Sequence, residues 1–243
     1  MLLRLLKLFL LGYLLSVLTS CVNHREVEHK ALAPTPTAYH GGVIQVYAAR
    51  TWGAKEALAV HTWISTKKSD AENYTSYEII GWRLNYSDSA LAVRQSQPDK
   101  DWWGHAPTLL LDYREADVDQ IIDKVAAAVE SYPHKTNYHA WPGPNSNTFI
   151  AYIGRKVPQL GLDLPSTAIG KDYRELADTI GLSPSGTGVQ ISLLGLLSVT
   201  VGYEEGLELN LLGLNFELDV FDLAVELPGV GRVGADAVKV TPN

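Results

Sequence analysis

Trp141-Pro142-Gly143-Pro144-Asn145-Ser146-Asn147-Thr148-Phe149-Ile150 is the stretch on which the reading of this 243-residue chain turns. Two prolines around a glycine set a rigid turn. A helix follows at once, from about residue 145 to 156, with Pro158 just beyond it. Asn145, Ser146 or Asn147 supplies the side-chain oxygen that accepts bonds from the free N–H groups of its first turn. An oxygen there also feels the positive end of the helix dipole, which favours an anionic form, and nearby N–H groups can hold an oxyanion.

Upstream, residues 43–49 (VIQVYAA) and 57–66 (ALAVHTWIST) are rich in β-branched and aromatic side chains and read as strands. Residues 67–73 form a polar turn, 74–84 a third strand and 89–94 a fourth. A loop over 97–107 carries Trp102-Trp103. Residues 116–132 give the clearest helix: Val118, Ile121, Ile122, Val125 and Val129 recur at helical spacing, and Pro133 ends it. Residues 137–141 read as a short extended piece. Downstream, 189–202 is nearly all apolar with glycines and reads as a buried strand pair. Then leucines at 207, 209 and 211 alternate with Glu208 and Asn210. After Gly213 the pattern resumes at Leu214, Phe216, Leu218 and Val220, and again at Leu223, Val225 and Leu227. Period two argues for half-buried antiparallel strands. The expected fold class is α+β: an antiparallel sheet with two main helices and a β-rich C-terminal extension from about residue 188, all in one domain over 43–243.

The N-terminus reads as a signal. Arg4 and Lys7 precede an apolar run over 8–18, and small residues Thr19 and Ser20 lead to Cys21, the one cysteine of the chain. The run is shorter than the ~20 residues that span a bilayer. The pattern resembles the lipobox of bacterial lipoproteins, which implies a signal peptide over 1–20 and an acylated Cys21 holding the protein on a membrane; the competing reading is a plain anchor with an incidental cysteine. Val22, rather than Asp, after the cysteine points to the outer membrane, facing the periplasm. Residues 21–42, with Pro34 and Pro36, read as an extended tether. The formal charge is −7 with no basic stripe, which excludes a nucleic-acid role. No cofactor motif is present. Residues 183–188 are glycine-rich but lack the lysine of a phosphate-binding loop. Linker residues His24 and His29, and His134 and His139, fit no standard metal spacing, so no metal site is expected.

Two segments carry candidate chemistry. His61 stands inside an apolar strand, where it is either a hydrogen-bonded core residue or a base. Ser146 opens the helix, as a cap or as a nucleophile. Glu78 and Tyr77 are adjacent on a strand, so one faces each side of the sheet, and either is placed to orient His61. Lys171 and Asp172 set a cation and an anion beside Gly170; they line a pocket near the helix or form a surface ion pair. Trp63, Trp82, Trp102, Trp103 and Trp141 offer faces for a sugar or peptide, or fill the core.

The segments YAARTWG, HTWI, GWRL, WPGPNSNTFI, LDLPSTAIGKDY and PSGTGVQ, spread over residues 43–234, resemble an uncharacterised bacterial family catalogued as domain of unknown function 3750. That family brings no established activity. More distantly, the order of an early-strand histidine and a later Asn-X-Asn-Thr-Phe helix start is similar to circularly permuted papain-like proteins, such as lecithin:retinol acyltransferase-like enzymes and PPPDE-type peptidases. The resemblance implies a permuted papain-like fold with His61 as base, Ser146 where those enzymes carry cysteine, and Glu78 or Tyr77 as orienter; Asn145, Asn147, Trp141, Lys171 and Asp172 are the candidate binding residues read from their own positions. A serine is a poorer nucleophile than a thiol unless a base is positioned beside it. The expected function is a cell-envelope lipoprotein whose hydrolase- or acyltransferase-like cleft acts on an amide or ester of an envelope peptide or lipid. The alternative is a ligand-binding or structural lipoprotein without catalysis.

Overall fold

The computed structural model describes residues 31–53, 56, 58–219, 223–234 and 239–240. The leader, Cys21 and the start of the tether lie outside them. Among the described residues no helix is long and apolar enough to cross a membrane.

The first sheet has the order β13-β5-β1-β2-β3-β4. Its strands are β1 (Val43–Arg50), β2 (Val60–Lys67), β3 (Thr75–Ile79), β4 (Leu91–Gln95), β5 (Thr108–Tyr113) and β13 (Lys239–Val240). All neighbours are antiparallel except β13, which runs parallel to β5. Helix α1 (Val118–Ser131) and helix α2 (Ser146–Lys156) cover one face. The apolar stripe of α1 (Val118, Ile121, Ile122, Val125, Ala128 and Val129) is buried. It meets Ile44, Val46, Ile64, Ile79 and Leu111 from the sheet and Phe149, Ile150 and Ile153 from α2. Each such side chain contributes about 1.5–3 kcal/mol by leaving water. The opposite face is also covered. Tyr47, Ala49, Trp63, Ile80, Ala92 and Trp102 form a second, smaller core beneath the 97–107 loop.

Several expectations need correction. The third strand stops at Ile79, and residues 81–85 (GWRLN) wind into a 3-10 turn instead of extending it. Residues 137–141 form no strand. Strand β5, between β1 and the short edge strand β13, carries no signal that the alternation of the sequence revealed. The later half of the tether is pinned to the sheet: the Leu32 N–H donates to Asp99 at 2.7 Å, and the Tyr74 hydroxyl to the Pro34 carbonyl at 2.9 Å.

The C-terminal part forms a separate seven-stranded antiparallel sheet, ordered β12-β11-β10-β9-β8-β7-β6. Its strands are β6 (Ile180–Leu182), β7 (Gly188–Leu193), β8 (Leu197–Gly202), β9 (Gly206–Leu211), β10 (Leu214–Asp219), β11 (Ala224–Leu227) and β12 (Gly231–Val233). Alternation places the strands as read, but the sheet faces the other way. The polar positions are buried, including Gln190, Thr200, Glu208, Asn210, Asn215 and Glu217. Consequently 189–202 is not a buried strand pair: Val189, Ile191, Val199 and Val201 are 43–59% exposed. Hydrogen bonding decides the orientation. The sheet lies on charged groups that need partners, and its polar side chains supply them. Asp172 accepts from Gln190 at 2.8 Å and from Asn210 at 2.7 Å, and Arg155 of α2 donates to Gln190 at 2.7 Å.

Gly154 marks how closely α2 approaches this second unit. A Cβ there would stand 2.3 Å from the Pro184 carbonyl oxygen. Gly→Ala inside a helix ordinarily stabilises by about 1 kcal/mol. Here the sign reverses, because backbone must move to relieve the overlap. Gly154→Ala is expected to cost about 1–3 kcal/mol, read as a lowered urea midpoint with an unchanged slope.

Candidate active site

The cleft forms where β2 and β3 part. Their ladder runs from Thr66↔Thr75 to Ile64↔Tyr77, and beyond it the strands separate. A cavity of about 600 Å³ opens there, lined by Val60 and His61 from β2, Ile79 and Ile80 at the end of β3, and Asn145, Ser146 and Asn147 at the start of α2. This is the size of a typical small-ligand site. Trp52, Trp82, Trp102 and Trp141 form much of its wall, and among the described residues no Asp, Glu, Lys or Arg lines it.

His61 is almost fully buried, with its ring stacked on Trp102 at 3.7 Å between centroids and 9° between planes. Its Nε2 lies 3.1 Å from Glu78 Oε2. Alternation along β3 puts Glu78 on the His61 side of the sheet, whereas Tyr77 packs into the helix-side core. Of the two adjacent candidates, Glu78 therefore holds the ring. Glu78 also meets Lys100 at 2.9 Å and Arg94 at 3.2 Å. Burial alone would raise its pKa, but His61 and Lys100 outweigh burial and bring it down to about 2. Burial pushes the His61 imidazole below its ordinary 6.5, against the opposing pull of Glu78. At neutral pH the pair is thus a neutral imidazole donating its Nε2 proton to a carboxylate, which leaves Nδ1 with a lone pair.

The helix start is assembled by side chains that use up their own polar atoms. Asn145 Oδ1 accepts from the N–H groups of Asn147 at 2.9 Å and Thr148 at 3.1 Å, and Thr148 Oγ1 accepts from the Asn145 N–H, closing a capping box. Asn145 Nδ2 donates to the carbonyls of Ala140 and Ile169. Asn147 Nδ2 donates to Val60 and Ile169, and its Oδ1 accepts from Thr62 at 2.9 Å. Thr148 donates to Gly170. Gly170 must be glycine: its φ is +96°, and a Cβ would lie 2.4 Å from Asn145 Nδ2. Asn145 and Asn147, read as binding residues, therefore act as staples, and both also line the cavity. Ser146 is the exception in this run. Its side chain makes no hydrogen bond among the described residues, and it too lines the cavity.

The remaining candidates divide. Trp141 lines the cavity at its border with the second sheet, donating to the Leu212 carbonyl at 2.9 Å. Lys171 and Asp172 lie elsewhere, buried beneath the second sheet, where Lys171 pairs with Glu208. Trp63 is core; Trp82 and Trp102 are cleft walls. Sequence reasoning missed Lys100 and Arg94 as partners of Glu78, Thr62 as the anchor of α2, and Trp52 as a wall. None has a local signature, because each meets its partner only through the tertiary fold.

The class defined by these features is an α+β protein with a tryptophan-walled cleft at the parting of two strands. The chain belongs to the family described as "Protein of unknown function (DUF3750)", whose model matches residues 41–173. The match spans the first sheet through β5, both helices and the loop bearing Gly170; it ends before β6, so PSGTGVQ and the whole second sheet lie outside it. No curated protein and no solved structure matches the chain.

Proposed function

We propose that the cleft is an acyl-transfer site of a permuted papain-like kind, hydrolysing or transferring a neutral, largely apolar ester or amide, in a lipoprotein tethered to the cell envelope through Cys21. One observation carries the reading. Ser146, whose hydroxyl alone in its run makes no hydrogen bond among the described residues, lines the same apolar cavity as His61, whose ring Glu78 holds in the tautomer a base requires. The tryptophans and aliphatic side chains that make up the described lining favour a lipid acyl group over a charged peptide.

In the proposed chemistry the Ser146 hydroxyl attacks the acyl carbonyl carbon while His61 Nδ1 takes its proton. Glu78 stabilises the imidazolium that results. The oxyanion forms at the N-terminus of α2, where the cap already occupies the Asn147 and Thr148 N–H groups, so the Ser146 N–H is the first-turn donor left for it. The imidazolium then protonates the leaving alcohol or amine. Water or a second alcohol, deprotonated by His61, releases the acyl group from Ser146.

The test uses the full chain in membranes and a serine-directed alkyl fluorophosphonate. Wild type is expected to label once per chain and Ser146→Ala not at all. Because burial keeps His61 neutral below its ordinary range, the acid limb of the labelling rate is expected below pH 6.5. Labelling that survives Ser146→Ala, or a wild type that never labels, contradicts the acyl-transfer reading.

A second reading, ligand binding without catalysis, is favoured by a different observation. Among the described residues no hydrogen bond joins Ser146 to His61. Thr62, not His61, faces α2: its hydroxyl reaches the Ser146 carbonyl at 3.3 Å. His61 therefore enters the cavity from the other side of β2. On that reading a fatty-acyl ligand is retained by the cleft and Ser146→Ala leaves its affinity within about twofold.

A further inference from the structure

The outward face of the seven-stranded sheet is apolar from edge to edge. Val189 and Ile191 of β7, Val199 of β8, Leu209 of β9 and Phe216 and Leu218 of β10 stand on it, each 37–54% exposed. Strands spaced ~4.8 Å apart and rising ~3.3 Å per residue give this face an outline of roughly 30 by 20 Å. Its accessible area is therefore at least ~600 Å², at the upper limit of the apolar patches that soluble monomers expose. A standard interface buries ~800 Å² per partner, so the face and its rim are enough for one.

Two occupants suit such a face: a lipid surface or another apolar sheet. The charge pattern decides between them. No Lys or Arg occurs between Arg174 and Arg232, and Glu205, Glu208, Glu217, Asp219 and Glu226 of that span are buried on the other side of the sheet. Anionic headgroups would find no counter-charge. The face also carries no Trp or Tyr belt of the kind that settles at headgroup level. Among the described residues β6 ends the sheet, and a strand edge leaves backbone groups that hydrocarbon cannot satisfy. A uniform face of Val, Ile, Leu and Phe is by contrast complementary to itself, as a two-fold interface requires. Two such sheets pack ~10 Å apart with interdigitating side chains.

We propose that two copies of the chain dimerise through this face, stacking sheet on sheet about a two-fold axis into a shared β-sandwich. The inverted orientation of the sheet follows: its polar side satisfies the charged groups beneath it, and its apolar side becomes core only when a second copy arrives. Leu209, near the middle of the central strand β9, lies close to the axis.

Cross-linking in washed membranes tests this with the full chain, Cys21 retained as the acylated anchor whose thiol cannot react with maleimide, and one further cysteine introduced. Leu209→Cys is expected to give at least tenfold more bismaleimide-linked dimer than Val93→Cys, an exposed position on β4 of the other sheet. Adding Val199→Glu on the apolar face should return the yield to the control level. Equal yields from Leu209→Cys and Val93→Cys would overturn the proposal. So would a Leu209→Cys that neither cross-links nor reacts with a water-soluble maleimide, the pattern of a face seated on lipid. Should Val199→Glu fail to fold, the comparison of the two single cysteines decides alone.

Discussion

Lys171→Met is expected to destabilise the protein by about 3–5 kcal/mol at neutral pH, the range for removing one partner from a buried charge pair. Lys171 is 1% exposed and pairs with Glu208 at the underside of the second sheet. Asp163, Asp172 and Glu217 also act on its charge. Burial, outweighing the pull of Lys171, pushes Asp163 up to about 8, Glu208 to about 7 and Glu217 to about 10. These raised pKa values set the sign of the pH dependence. Carboxyls that hold protons more tightly in the folded state contribute stability that is full below their unfolded pKa, near 4, and lost as pH rises through 7 to 10. Methionine removes the cation that lowers the pKa of all three, leaving among the described residues only Glu217 with an ion pair, to Arg232 at 3.6 Å. The loss in urea-derived stability should therefore be larger at pH 9 than at pH 5. An equal loss at both would show that Lys171 acts through packing alone.

Asn145→Ala is the second large effect. The change removes two cap bonds to backbone N–H groups, worth about 0.5–2 kcal/mol. It also removes the side-chain donor to the exposed Ala140 carbonyl and one of the two donors to the Ile169 carbonyl, which Asn147 still partners at 2.8 Å. A loss of about 2–3 kcal/mol is expected, at or beyond the upper end for an ordinary cap. Asn145→Asp separates the two roles: it retains the accepting oxygen, so the cap survives, but it cannot donate. Thermal melts that place Asn145→Asp midway between wild type and alanine would support this division. A melt equal to wild type for alanine would contradict it.

Strands β1 to β4 and both helices of the first unit were legible because each carries its own signal. The α1 stripe and the Asn145 cap are local patterns with one physical solution. Strand β5 was not legible: Thr108–Tyr113 has both faces covered, so no alternation marks it. The second sheet was legible in its period and misread in its direction. Alternation states that two faces differ; it does not state which one turns inward. Here the buried charges of Lys171, Asp172 and Arg155 call for polar partners and turn the Glu, Asn and Gln positions towards them. The site was half legible. His61, Glu78 and Ser146 stood out by type and position, and all meet around one cleft or touch a group that lines it. Lys171 and Asp172 stood out equally and belong to a buried network instead. What separates the two groups is contact over long sequence distances, such as Thr62 to Asn147 and Asp172 to Asn210.

The central claim is that His61 activates Ser146. The second-order rate of fluorophosphonate labelling in His61→Gln, set against wild type at pH 7.5, tests it most directly. Glutamine keeps a polar side chain near Glu78 but cannot act as a base. A base within reach contributes roughly 10²–10⁴-fold, so a drop of at least a hundredfold is predicted. A His61→Gln protein that folds and labels at the wild-type rate would contradict the account.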